Sequence, residues 1–257
     1  MKPGEASITA QRVAAHRLTF EREPASYGNA EADERLARDV AGSIRVEPNG
    51  MMVPYLAART MFFDRVVVRA LDAGVTQVVI AAAGYDGRAL RYAKPGVRWF
   101  EIDHPDTQRD KRARLDRLAI VTDHVAFAPV DFAVDDVAAA LRGAGHDESR
   151  TTVFLCEGVA VYLELDVLEM LLRALRAQAN ERSRLAISLS VDTGSAALAE
   201  RRARFGAAVA AMGEPARTVL TADGAASLFE RSDWTRANGS ERAGRAGLVT
   251  LVPVVVS

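Results

Sequence analysis

Five times between Thr76 and Met212 a short apolar run is followed by a stretch of helical period. The runs are "TQVVIAA", "VRWFEID", "HVAFAPVDF", "TTVFLCEG" and "RLAISLSVD". Apolar strands without clean alternation belong to a sheet covered on both faces. Strands that alternate with helices pair in parallel through right-handed crossovers. The spacing predicts helices from Asp86 to Tyr92, closed by Pro95-Gly96, and over 105–118, 134–141 and 165–179. Further helices are expected through "SAALAERRARFGAAVAAM" and over 221–229. A weak strand is expected near Trp234 and a strong one from Leu248 to Val256. The chain therefore reads as α/β, a mostly parallel sheet with helices on both faces.

The segment before Thr76 contains no strand signal. Ile8, Val13 and Leu18 lie on one side of a helix over 5–20, a second short helix fits 33–40, and "NGMMVPYLAARTMFFDRVVVRALDAGV" is a long amphipathic stretch. Pro54 suits its opening and Gly74 its end. One domain is expected, with a helical extension over 1–75 and a core over 76–257. Its 257 residues are 49% hydrophobic with net charge −1. That balance offers no general attraction to nucleic acid or to an anionic membrane. The run "LVTLVPVVV" is too short to span a bilayer, the N-terminus lacks the apolar core of a signal peptide, and a single cysteine, Cys156, fits a reducing cytoplasm. Neither monomer nor homodimer is favoured.

In an open parallel sheet, ligands bind outside the carboxyl ends of the strands. Those ends carry Ala82 and Gly84, Glu101 and Asp103, Asp131 and Phe132, and Glu157 and Gly158. Singly, an acid after a strand is usually a helix cap, and a glycine makes a turn. Together they point to one ligand edge. Ala82-x-Gly84-x-x-Gly87 imitates a dinucleotide fingerprint with its first glycine replaced, and Asp103 lies near the distance expected of a ribose ligand. An NAD-dependent oxidoreductase is one reading. Asp86, however, sits where the helix should begin and would oppose phosphates there. S-adenosylmethionine offers an adenosine to Asp103 and a sulfonium and an ammonium in place of phosphates, so it tolerates the nearby acids.

"VVIAAAGYDGRALRY", "FEIDHP", "PVDF" and "TTVFLCEGVAVYL" resemble, in order and spacing, the motifs of the leucine carboxyl methyltransferase family. "ARTMFFD", "SITAQRVAAHR" and "FERSDW" are similar to further segments, so the likeness covers most of the chain. The resemblance implies a Rossmann-like class I methyltransferase with a mostly parallel seven-stranded sheet and an α-helical N-terminal extension. It implies S-adenosyl-L-methionine as cofactor and no metal. Arg59 would pair with the cofactor carboxylate, Gly84 would admit its methionine moiety, and Asp103 would accept from the ribose hydroxyls. Asp131 would accept from the adenine amino group beside Phe132, and Glu157 would face the ammonium. The plainer alternatives are a solvated Arg59 and a helix-capping Glu157. The chain departs from the family at Ala82, at Asp233 where a glycine precedes the tryptophan, and at Gln11 or a neighbour where a relative uses a lysine.

Methyl transfer needs alignment above all. A carboxylate acceptor is already ionised at pH 7, whereas a phenol benefits from a base. The resemblance nominates Arg12, His16, Arg17, Tyr27 and Tyr162 as acceptor-side residues, with Tyr162 facing the reaction. His104 reads as a helix-start residue, and His124 and His146 read as surface loop residues. The expected activity is O-methylation of a carboxylate or hydroxyl of a small-molecule metabolite such as a polyketide. The remaining alternative is a non-catalytic methyltransferase-like binding protein. The glycine-rich "TRANGSERAGRAG" reads as a mobile loop.

Overall fold

The computed structural model describes residues 4–44, 52–192, 194–238 and 247–254. The extension forms α1 (Ile8–Arg17), α2 (Ala30–Gly42) and α3 (Val53–Asp72). Side chains cap the first two: Ser7 accepts from the Ala10 N–H and Asn29 from the Ala32 N–H. Pro54 stands in the first turn of α3, where its missing donor has no partner to lose. Gly74 turns the chain after α3 with φ of 86°.

The core then runs β1 (Gln77–Ala81), α4 (Arg88–Arg91), β2 (Arg98–Asp103), α5 (Pro105–Arg117), β3 (Val125–Pro129), α6 (Val137–Gly143) and β4 (Thr152–Cys156). A 3₁₀ turn at Ala160–Tyr162 precedes α7 (Leu165–Ala177), β5 (Arg184–Ser188), β6 (Val191–Asp192) and α8 (Ala196–Ala211). β7 (Leu220–Thr221), α9 (Ala222–Arg231), β8 (Trp234–Arg236) and β9 (Leu248–Pro253) complete it. The main sheet has seven strands in the order β3-β2-β1-β4-β5-β9-β8. Strands β1 to β5 pair in parallel, and β9 runs antiparallel to both β5 and β8. Strand order reverses between β1 and β4, which opens a crevice at their carboxyl ends.

Two elements differ from the sequence reading. The helix after β1 is a single turn, because an Asp86 carboxylate oxygen accepts the Arg88 N–H at 2.8 Å and keeps the preceding residues in a turn. "RLAISLSVD" is also not one strand. It leaves the main sheet after Ser188, and Val191–Asp192 pair with β7 in a separate two-stranded sheet.

Apolar layers cover the sheet on both sides. Phe100, Phe154, Leu172 and Trp234 belong to one, and Phe63, Val78, Trp99 and Leu155 to the other. The Trp234 indole donates to the Leu172 carbonyl at 3.0 Å. Asp233 before it has φ of 56°, a left-handed conformation that explains the glycine expected there. His146 is a correction. It is buried against Phe100 and Phe154, with Nε2 3.0 Å from the Thr152 hydroxyl. His124 is partly buried, with Nε2 2.7 Å from the Ala89 carbonyl. Most of the loop read as mobile, residues 239–246, lies outside the described residues, as do Val255 and Val256 of the predicted last strand.

Candidate active site

A cavity of about 1460 Å³ runs along the carboxyl edge of the sheet, with walls from α1, the start of α3 and α8. Single-ligand sites usually span about 300–1,000 Å³, so two reactants fit side by side. Ala82, Gly84, Asp103, Asp131, Phe132 and Glu157 all line it from the strand ends. Arg59 enters from α3, Tyr162 from the 3₁₀ turn, and Arg12, His16 and Arg17 from α1. Tyr27 does not reach the cavity. Its hydroxyl donates to Asp72 at 3.0 Å, and its ring lies under the Lys94 ammonium. The acceptor-side expectation for Tyr27 is therefore corrected: packing against α3 uses both its ring and its hydroxyl.

The β1–α4 loop is shaped by left-handed residues, Ala82 with φ of 53° and Gly84 with φ of 51°. The Gly84 N–H donates to one Asp103 oxygen, and the His104 N–H donates to the other at 2.6 Å. Burial raises the Asp103 carboxyl above its usual range, against the pull of those two donors. A carboxylate offers about four acceptor positions, so roughly two remain towards the cavity. A Cβ on Gly84 would approach the Ala10 Cβ at 2.9 Å, so α1 itself imposes the glycine. Below the loop, Lys111 donates to the Asp86 carbonyl at 2.7 Å and to Glu101 at 2.6 Å.

The inner end of the cavity is a buried cluster of arginines and acids. Arg59 Nε donates to Glu157 Oε1 at 3.0 Å, while Arg88 at 2.6 Å and Arg17 at 3.1 Å meet Glu157 Oε2. Burial alone would raise the Glu157 carboxyl, but Arg17, Arg88 and Arg59 hold it well below the usual range. Asp86 is also paired, with Arg88 at 2.5 Å and Arg17 at 3.3 Å. This overturns the sequence argument that placed its free charge against a ligand: two guanidiniums neutralise it inside the protein. Arg88, fully buried, further holds Asp64 at 2.7 Å and the Thr60 carbonyl at 3.0 Å. Sequence reasoning missed Arg88 and Asp64, since partners 24 positions apart leave no periodic signal. Gly158, with φ of 72°, leaves space that a Cβ would take from the Arg59 guanidinium, 2.9 Å away. Arg17 Nε is buried and has no hydrogen-bond partner among the described residues.

Helix α1 lies across the cavity on three attachments. At its start, the Ser7 N–H donates to the Thr107 hydroxyl at 3.1 Å, and Glu214 accepts from the Ser7 hydroxyl and the Ile8 N–H, both at 2.9 Å. In the middle, Ala10 rests on Gly84; at the end, Arg17 reaches Asp86 and Glu157. Between these points Arg12, Val13 and His16 meet the cavity. The His16 ring stacks on Phe20 at 6.4 Å, and burial, aided by the Arg12 charge, holds it below its ordinary pKa. Burial pushes the Tyr162 hydroxyl up to about 12, against the Arg59 charge. Asp131 accepts from the Ala133 N–H at 3.0 Å and stays partly exposed. His104 accepts from the Asp106 N–H at 3.3 Å, the helix-start role expected of it.

Residues 12–176 match the model of the family described as leucine carboxyl methyltransferase. A candidate S-adenosyl-L-methionine-dependent methyltransferase of Mycolicibacterium smegmatis is 34% identical over 207 residues, 73% of this chain and 66% of that protein. A similarly described protein of Mycobacteroides abscessus is 41% identical over 140 residues, 52% of this chain and 43% of that one. The chain thus spans two thirds or less of the length of these curated relatives. Among solved structures, a candidate methyltransferase from Thermobifida fusca superposes with a TM-score of 0.62, covering 98% of this chain and 96% of that one at 17% identity. That likeness carries the fold alone. No described helix is long and apolar enough to cross a membrane.

Proposed function

Because the chain belongs to the leucine carboxyl methyltransferase family, we propose that it is an S-adenosylmethionine-dependent O-methyltransferase acting on a carboxylate or hydroxyl of a small-molecule metabolite, such as a polyketide. The observation that carries the reading is the convergence of four strand ends on one cavity, beneath a helix whose Arg12, His16 and Arg17 also line it. The donor set fits the cofactor. The Arg59 guanidinium suits a carboxylate. Glu157 Oε1 accepts from a single guanidinium and retains room for an ammonium. The open positions of Asp103 suit vicinal hydroxyls, and Phe132 and Asp131 suit the face and amino edge of a purine.

The cofactor supplies an electrophilic methyl group on a sulfonium. The chain's part is alignment and exclusion of water. Asp103, Asp131 and Phe132 would hold the nucleoside half, and Gly84, Arg59 and Glu157 the amino-acid half. Helix α1 covers the space between. Such fixed positioning can account for about 7–11 kcal/mol of a barrier in well-oriented systems. A carboxylate acceptor needs no base. For a hydroxyl acceptor, His16 is held in its neutral form near pH 7 and can take the proton.

Thermal-shift titrations with S-adenosylmethionine, S-adenosylhomocysteine and NAD test the reading. At about a hundred times its dissociation constant a ligand adds roughly 2.7 kcal/mol to the folded state. Stabilisation by the two adenosyl compounds and not by NAD is expected. Stabilisation by NAD alone would make the chain an oxidoreductase, and no response to any would favour a binding protein without this cofactor.

A further inference from the structure

The charges that line the cavity divide into two sets. Most are satisfied within the protein. Arg17 and Arg59 meet Glu157, Arg202 meets Asp192 at 2.7 Å, Arg217 meets Glu164, and Asp106 meets Arg109. Glu214 is taken up by the first N–H groups of α1 and the Ser7 hydroxyl. Asp86 meets Arg88 and Arg17, and Asp103 and Asp131 are the acids assigned above to the nucleoside, so two arginines remain. Arg12 on α1 and Arg201 on α8 line the same cavity from different walls, both are exposed, and neither has a hydrogen bond or acidic partner among the described residues. The walls inside these rims are apolar and aromatic, with Leu56 and Tyr55 from α3, Val161 and Tyr162 from the 3₁₀ turn, and Phe205 and Val209 from α8.

We propose that the acceptor is an amphipathic acid, whose anionic head group is held at the cavity mouth by Arg12 and Arg201 while its apolar body fills the space beside Tyr55, Tyr162 and Phe205. The inference rests on the methyltransferase reading and adds a recognition element to it. The two rim cations favour an anion, and the wall behind them disfavours any charge that enters without a partner. Anchoring at the mouth also means that the anchored group is not the atom methylated. The reacting oxygen then belongs to the deeper end of the acceptor, which points to a hydroxyl on an acidic molecule. Arginine forks read carboxylate, sulfonate or phosphate alike, and the chemistry they share is a compact anion.

The test uses 2-naphthoate and its neutral isostere 2-naphthamide as probes, titrated into the full chain saturated with S-adenosylhomocysteine. Naphthoate is expected to bind at least tenfold more tightly than naphthamide, with a preference that shrinks as salt rises. In R12Q/R201Q the two probes should bind equally, while affinity for S-adenosylhomocysteine stays unchanged. Equal binding of the two probes by the unmodified chain, no binding of naphthoate, or a preference that survives the double substitution would each overturn the proposal. Failure of S-adenosylhomocysteine itself to bind would instead count against the methyltransferase reading. Naphthoate selectivity is then read on the chain alone, so the two failures stay distinct.

Discussion

Phe154 and Trp99 are sealed into the sheet by neighbouring side chains of Val, Leu, Phe and Ala type, whereas α1, directly above the same sheet edge, combines a small apolar seam with polar attachments at both of its ends. The sheet buries its apolar layers on both faces. The roof sets only the small side chains Ala10 and Ala14 against Leu36, Val40, Tyr85 and Leu90, and adds the polar attachments of Ser7, Glu214 and Arg17. Apolar burial is indifferent to salt and largely to pH; charged attachments respond to both. A roof that relies more on the second kind of contact than the floor does should respond to salt and pH where the floor does not.

The largest effect tests the floor. Phe154→Ala should lower the stability of the whole chain by about 3–5 kcal/mol, the usual penalty for removing a buried phenylalanine. Urea denaturation should give the same loss at low and high salt. A strong salt dependence would mean that the sheet also relies on charge, and the contrast would fail.

Next comes the hinge between the regions. Arg17→Ala removes two buried contacts to acids that keep other arginine partners, Asp86 through Arg88 and Glu157 through Arg88 and Arg59. Loss of a hydrogen bond to a charged group costs roughly 1.5–3 kcal/mol. That loss should appear in the opening of α1 rather than in global unfolding. Hydrogen exchange should show α1 amides released at least tenfold faster while β1 and β4 amides keep their protection.

The two regions should also answer pH with opposite sign. Arg17, Arg88 and Arg59 hold the Glu157 carboxyl well below its usual 4.5. Its contribution to closure is thus complete above pH 4.5 and is lost as pH falls towards its folded value. Glu101, beneath the cofactor loop, is pushed by burial up to about 6, with Lys111 pulling the other way. Its stabilisation is complete below pH 4.5 and is lost as pH rises through about 6, a change of roughly 2 kcal/mol. Stability followed from pH 4.5 to 7 should contain that decline, and Glu101→Gln should remove it. A profile unchanged by the substitution would show that the Glu101–Lys111 pair stays ionised throughout.

The floor was legible in the sequence and the roof's attachments were not. Every strand of the main sheet but β8 announced itself as an apolar run, Pro54 and Gly74 marked the ends of α3, and the acids and glycines at the strand ends lie on one cavity except Glu101, which is buried against Lys111. These signals are local, because period and turn chemistry act over a few residues. Asp86 read as a ligand-facing charge at a helix start and Arg88 gave no signal, yet they are the centre of a buried cluster that draws on Arg17, Asp64 and Glu157. Glu214 gives no hint that it closes the start of a helix 206 positions earlier. Ion pairs between distant segments have no period, and only the fold reveals which charges are spent and which remain for a ligand.

Glu214 supplies the smallest and sharpest test of the contrast. Its carboxylate accepts from the Ile8 N–H at 2.9 Å and the Thr9 N–H at 3.4 Å, and its other oxygen accepts from the Ser7 hydroxyl. Glu214→Gln keeps an oxygen for the two N–H groups and removes the negative charge beside the positive end of the helix dipole. A charge so placed contributes about 0.3–1 kcal/mol at low ionic strength. The α1 amides should therefore exchange about two- to fivefold faster in the variant, and most of that difference should vanish in 1 M salt, where screening acts over roughly 3 Å. Sheet amides should not change. If β1 and β4 amides accelerate by the same factor, α1 and the sheet open as one unit, and the roof is no cover but part of the core. If only α1 responds, the energy that closes the cavity is electrostatic, and an anionic acceptor arriving at Arg12 enters a field that the helix attachments already shape.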